Sequence, residues 1–167
     1  MSSRQMSSSP SARREGRKKV VAFRRPPPAK TLSKRVFGVP TIADDPAEVQ
    51  RLVRGGVEAS KLKAVRDMYG LSQEELAKLL GVTARTVIRQ TKAKSRLDPK
   101  ASDRTARLVR VFDRAAEVLG DVGRAREWLG APVTALGGEC PRSWLDTDAG
   151  TSEVLRVLGR LEHGVFS

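Results

Sequence analysis

From Asp45 onward the chain repeats one unit: a helix-start signal, an apolar stripe at three-to-four spacing, and a closing glycine. Asp45-Pro46 opens the first unit, with proline pre-set for a first helical turn, and Gly55-Gly56 closes it after Arg54. Leu62, Val65 and Met68 or Tyr69 make the next stripe, ended by Gly70. Ser72 and Glu75 have capping-box spacing, Leu76, Leu79 and Leu80 follow, and Gly81 closes that unit. Thr83 caps a helix from Ala84 to about Thr91, and Lys92 to Leu97 reads as a polar linker.

Asp98-Pro99 starts the longest helix. Ala101, Leu108, Val111, Phe112, Ala115, Val118 and Leu119 share one face, with Arg104, Arg107, Arg110 and Arg114 mostly opposite, and Gly120 stops it. Asp121 caps a short helix through Trp128 and Leu129, and residues 130–141 read as a loop. A last helix carries Val154, Leu155, Leu158 and Leu161 and ends near Gly164, with Asp146 and Asp148 as its expected caps. No segment alternates as a half-buried strand does, and aromatics make up only 4% of the chain, too few for a β core. The expected fold is all-α. Residues 1–40 read as a disordered tail, 41–98 as a helix-turn-helix region and 99–167 as a small helical domain.

The helix-turn-helix expectation rests on Ala77, Gly81, Val82 and Val87. A small residue lets the second helix pack closely, glycine supplies the positive φ of a tight turn, and the two valines fix the crossing. The second helix of such a unit enters the major groove by its N-terminal end. Thr83, Arg85, Thr86 and Arg89 are then the groove-facing candidates, with Lys92, Lys94 and Arg96 near phosphates. An ordinary helical hairpin with a solvated basic face is the competing reading. Operator reading of this kind favours a homodimer on paired half-sites.

Charge sharpens the picture. The chain is +13 at pH 7, and residues 1–40 hold eleven Lys and Arg against Glu15 alone, so the excess sits in one arm. A basic, Ser- and Pro-rich arm without apolar period is either a solvated tail, with Met6 as a possible start, or a source of phosphate contacts. Its composition also has something of an organellar transit peptide, but Pro26, Pro27 and Pro28 interrupt any amphipathic helix. The chain has one cysteine, Cys140, which fits a reducing cytoplasm and precludes an internal disulfide. No apolar run approaches the ~20 residues of a membrane span.

The C-terminal string is the most specific feature. Trp128-Leu129, Pro132, Ala135-Leu136-Gly137-Gly138, Pro141, Leu145, Thr147, Gly150, Val154, Leu158 and Gly159-Arg160-Leu161-Glu162-His163-Gly164-Val165-Phe166 resemble the toxin-binding domain of the Xre/MbcA/ParS antitoxins, and Leu71 to Leu97 resembles their helix-turn-helix. Trp144 stands where that family usually has a smaller apolar residue, and the basic arm is not a shared feature. The resemblance implies a non-enzymatic antitoxin whose partner is a RES-type, NAD-consuming toxin, neutralised by occlusion of its active site. Leu136, Gly137, Gly138, Trp144, Arg160, His163, Gly164, Val165 and Phe166 are the toxin-facing candidates. For Leu136 and Trp144 an ordinary place in the chain's own core is an equal alternative.

Nothing else carries chemistry. His163 is the one histidine, with no second ligand or nucleophile beside it in sequence, so neither a metal site nor a triad is expected. No phosphate-binding glycine loop stands out, and no cofactor is expected. A stand-alone transcriptional regulator whose C-terminal domain only dimerises is the alternative function.

Overall fold

The computed structural model describes residues 31–40, 42 and 45–164. The basic segment 1–30 and the candidates Val165 and Phe166 lie outside the described residues. Among the described residues eight α-helices run in chain order: α1 (Leu32–Val36), α2 (Pro46–Arg54), α3 (Leu62–Tyr69), α4 (Gln73–Leu80), α5 (Ala84–Lys92), α6 (Pro99–Leu119), α7 (Val122–Gly130) and α8 (Asp148–Glu162). Single 3-10 turns sit at Ala59–Lys61, Thr134–Leu136 and Pro141–Trp144. Among the described residues β pairing is confined to two isolated bridges, Glu58 with Arg96 and Val133 with Glu139, so the fold is all-α. No helix among them is long and apolar enough to cross a membrane.

The helix starts follow their caps. Asp45 accepts the Glu48 N–H at 2.9 Å, and Asp98 accepts the Ala101 N–H at 2.9 Å. The capping box is complete: Ser72 N–H donates to Glu75 Oε2 at 2.8 Å, and Glu75 N–H donates to Ser72 Oγ at 3.1 Å. One expectation fails. Thr147, not Asp146 or Asp148, caps α8, its hydroxyl oxygen accepting the Gly150 N–H at 3.1 Å, while Asp148 is already in the first turn.

α6 is the axis of the molecule. Helices α1 to α4 pack along it from one half of the chain, and α7 and α8 from the other. It therefore buries more than one stripe: Ala101, Ser102, Thr105, Leu108, Val109, Val111, Phe112 and Ala115 are all within the core. The Tyr69 hydroxyl donates to the Leu108 carbonyl at 2.7 Å, and its ring lies 5.0 Å from that of Phe112. The expected division at residue 98/99 thus falls before a helix that both halves share. Arg104 and Arg114 are not merely solvated. Arg104 reaches back to α4, and Arg114 pairs with Glu117 and with Glu162 of α8.

Residues 31–40 are a correction. They are not a disordered tail: Leu32 is fully buried and Val36 and Phe37 nearly so. The cause is Asp113 in α6, whose carboxylate accepts Leu32 N–H at 2.7 Å, Ser33 N–H at 2.9 Å and the Ser33 hydroxyl. One carboxylate thereby satisfies amides that a five-residue helix leaves open at its start. Burial pushes the Asp113 carboxyl up from its ordinary value, with the three donors opposing that shift.

Candidate functional site

The first site is the α4–α5 unit. Gly81 adopts φ +66°, and Val82 N–H returns to the Ala77 carbonyl at 3.0 Å, which turns the chain sharply into α5. Ala77 and Val87 are buried and Val82 is half-buried, as the motif requires. Arg104 of α6 donates to the Leu80 carbonyl at 2.8 Å, capping α4 from outside the motif. Thr83 caps α5 by accepting the Thr86 N–H at 3.1 Å, and the two hydroxyls lie 2.9 Å apart.

Only Val87 of α5 is fully buried, so the helix presents most of its surface outward. Arg85, Arg89, Lys92 and Lys94 are exposed, Thr83 is exposed and Thr86 half-buried. Among the described residues none of these four cations has an acidic partner, and α5 contains no acid. Arg96, by contrast, is committed to the Gly56 carbonyl at 2.7 Å. Lys94 takes φ +49° in the helix-closing turn, a left-handed position usually filled by glycine. Sequence reasoning missed Ile88, which is 45% exposed and shares the outward face with Arg85, Arg89 and Lys92 at the i, i+3, i+4, i+7 spacing of one helix side.

The second site is the turn region leading into α8. Val133 N–H donates to the Glu139 carbonyl at 3.0 Å, closing a loop whose tip is Gly137 and Gly138, with φ of +69° and +82°. Both glycines are exposed. The Cys140 thiol donates to the Gly130 carbonyl at 3.1 Å, tying the loop to α7. Gly150 permits a close approach of backbone to backbone: a Cβ there would lie 2.1 Å from the Trp144 carbonyl oxygen.

Between the loop and the start of α8 lies a shallow open groove. Leu136, Trp144 and Ala149 contribute its apolar wall, and Glu139, Asp146 and Glu153 its charge. Among the described residues no lysine or arginine lines it. In so basic a chain an acidic groove is conspicuous, and it was not legible in the sequence because its carboxylates come from the loop, the turn before α8 and α8 itself.

The toxin-facing candidates separate. Leu136 is only 2% exposed and belongs to the chain's own core, so as a free anchor it is corrected. Trp144 is half-buried, and its indole Nε1–H is buried without an acceptor among the described residues. Arg160 does not project freely but approaches Glu153 at 3.5 Å. His163 and Gly164 are exposed at the end of α8, with the His163 ring 3.9 Å from Glu162. Among the described residues no group of His, Cys, Asp and Glu is arranged to hold a metal ion.

One ion pair joins the sites, and a second set of contacts ties α7 to α3. Arg142, in the turn before Trp144, lies 3.3 Å from Glu75 of α4. Arg126 of α7 donates to the carbonyls of Met68 and Asp67, both at 2.7 Å, and so caps α3. The Ser72 amide, then the Ser72 hydroxyl and the Arg142 charge, hold the Glu75 carboxyl below its ordinary value.

Comparison with known proteins matches the two segments that carry these sites. Residues 48–110 match the antitoxin Xre-like helix-turn-helix domain, and residues 114–164 match the antitoxin Xre/MbcA/ParS C-terminal toxin-binding domain. An antitoxin Xre of Yersinia enterocolitica is 34% identical over 116 residues, 69% of this chain and 78% of that protein. A Prs ADP-ribosylating antitoxin of a Sphingobium species is 27% identical over 125 residues, 70% of this chain and 79% of that protein. The crystal structure of the Mycobacterium tuberculosis MbcT-MbcA toxin-antitoxin complex contains a chain with 27% identity and a TM-score of 0.49, covering 65% of this chain and 96% of that one.

Proposed function

The chain belongs to the Xre/MbcA/ParS antitoxins, the antitoxin halves of toxin-antitoxin systems, and on that premise we propose that it occludes the NAD site of a RES-type toxin with its C-terminal face while α4 and α5 bind its own operator as a homodimer. The single observation that carries the neutralising half is the position of the open groove. It lies wholly inside the segment that matches the toxin-binding domain, next to the exposed Gly137-Gly138 tip. An exposed backbone tip beside an apolar wall can lie flat against a second protein, and the carboxylates of Glu139 and Asp146, beside a Glu153 already paired with Arg156 and Arg160, favour a partner with cations around its active site. The resemblance of the C-terminal string supports the RES type. The Sphingobium relative's name supports NAD chemistry, since ADP-ribosylation draws its ADP-ribose from NAD.

The DNA-binding half is supported by the unpaired cations of α5. Arg85 and Arg89 have no internal role to give up, so their full hydrogen-bonding capacity is open to guanine edges. The test of the whole reading is co-expression with the product of the adjacent reading frame, followed by purification of the pair and an NAD-consumption assay. A stable complex with NAD turnover suppressed, and recovered when the antitoxin is digested away, is the expected result. Failure of the two products to associate would overturn it.

A further inference from the structure

Arg85, Ile88, Arg89 and Lys92 form one outward stripe of α5, and Ile88 is the exposed large hydrophobic residue among the described ones. A single exposed isoleucine is ordinary on a protein surface. Here it stands between three cations on a helix whose opposite side holds Val87 against the core. Charge decides what kind of surface covers the stripe. A second protein would need three carboxylates around an apolar socket, and a second copy of this chain would bring Arg85, Arg89 and Lys92 against themselves. Duplex DNA answers both properties at once, since its phosphates take the cations and its major groove offers one apolar feature, the thymine C5 methyl.

We infer that Ile88 is a specificity-determining residue that packs on a thymine methyl, so that the recognised DNA carries thymine beside the guanines contacted by Arg85 or Arg89. This rests on the DNA-binding reading of α5 given above. Ile88 cannot hydrogen-bond, so opposite a cytosine amino group or a guanine oxygen it removes water and returns nothing. Opposite thymine it buries a methyl group. Its β-branch leaves one strongly preferred rotamer in a helix, so the side chain is held in place before DNA arrives. The Thr83 and Thr86 hydroxyls are engaged with each other and with the helix start, and within the stripe of Arg85, Ile88, Arg89 and Lys92 the apolar side chain is Ile88.

The experiment is selection from a library of duplexes with about 20 randomised base pairs, enough for two half-sites one helical turn apart, using the full chain and its Ile88→Ala variant. The side chain is exposed, so the substitution empties no core, and an unchanged melting temperature verifies this. The enriched duplex is then remade with deoxyuridine for thymidine, which removes only the methyl. The full chain should lose affinity about fourfold at the contacted position, the factor equivalent to ~0.8 kcal/mol for one buried methyl-sized group. The Ile88→Ala variant should select guanine but no thymine there and bind both duplexes equally. Enrichment of a sequence whose uracil form binds the full chain as well as the thymine form overturns the inference while sparing the DNA-binding reading. The absence of any enriched sequence overturns both. A change of oligomeric state in Ile88→Ala, with no uracil effect, assigns the residue to a contact between copies and also overturns it.

Discussion

Arg104 holds the space beside Gly81: its Nη1 donates to the carbonyl of Leu80 at 2.8 Å, and a Cβ on residue 81 would lie 1.5 Å from that nitrogen. The turn of the helix-turn-helix is therefore closed by two devices, a left-handed glycine and an arginine from the central helix. Gly81→Ala is expected to cost about 1–2 kcal/mol for the left-handed conformation alone, and more from displacing Arg104. In an Arg104→Ala background the steric part disappears, so the double mutant should be more stable than the sum of the single losses indicates. Urea unfolding of the four proteins measures this, and strict additivity would refute the contact.

Asp113 anchors α1 from eighty residues away. Asp113→Ala leaves the Leu32 and Ser33 donors without a partner, at a cost of about 1–3 kcal/mol, and should raise hydrogen exchange across residues 32–37. The pH dependence has a definite sign. The folded-state value lies above the ordinary 3.8, so protonation favours the folded chain, and this contribution declines as pH rises from 3.8 through the folded value. The stability of the native chain relative to Asp113→Asn should fall across that window and be flat above it. A difference that grows with pH would contradict the assignment of burial as the dominant cause.

Glu75 behaves in the opposite sense. Its folded value is depressed, so its contribution is present above the ordinary 4.5 and is lost as pH falls through the folded value. Glu75→Gln keeps an acceptor for the Ser72 amide but gives up the charge facing Arg142 at 3.3 Å. Thermal melts should show the variant less stable near neutral pH, and the two proteins converging in acid. A gap that persists in acid would mean the charge contributes nothing.

Gly150 tests the second site. A methyl there meets the Trp144 carbonyl, and relief requires α8 to move away from the turn that carries Trp144. Gly150→Ala is expected to destabilise by about 1–3 kcal/mol, as overpacking does, and to weaken toxin binding more than DNA binding. Calorimetric titration with toxin beside a gel-shift titration distinguishes this from general unfolding, which would weaken both together.

Much of this was legible from caps and glycines. Asp45, Ser72 with Glu75, Thr83, Asp98 and Asp121 each act within three residues of themselves, and such signals survive in a one-dimensional string. What was hidden depends on distant partners. Leu32 and Val36 are one helical turn apart, but they sit beside Lys34 and Arg35 after a Pro-rich run, and what holds their helix is distant in sequence, the Asp113 carboxylate and the packing of α1 on α3 and α6. Val87 was legible as a core residue from the helix-turn-helix spacing, but the exposure of its neighbour Ile88 depends on how α5 crosses α4. Leu136 reads as a loop residue because the 3-10 turn that buries it is too short to show a period. The acidic groove appears only when the loop folds back beside α8.

On the proposed reading the two faces work independently, one on DNA and one on toxin. Ala149 lines the groove and is exposed in the free chain, so Ala149→Arg fills the groove with a cation without disturbing the core. The most direct measurement is growth of cells carrying toxin and antitoxin on separate inducible promoters. Arg85→Ala with Arg89→Ala should rescue growth as the native chain does while losing operator binding, and Ala149→Arg should bind DNA normally yet fail to rescue. Full rescue by Ala149→Arg would contradict the account and move the neutralising surface away from the groove.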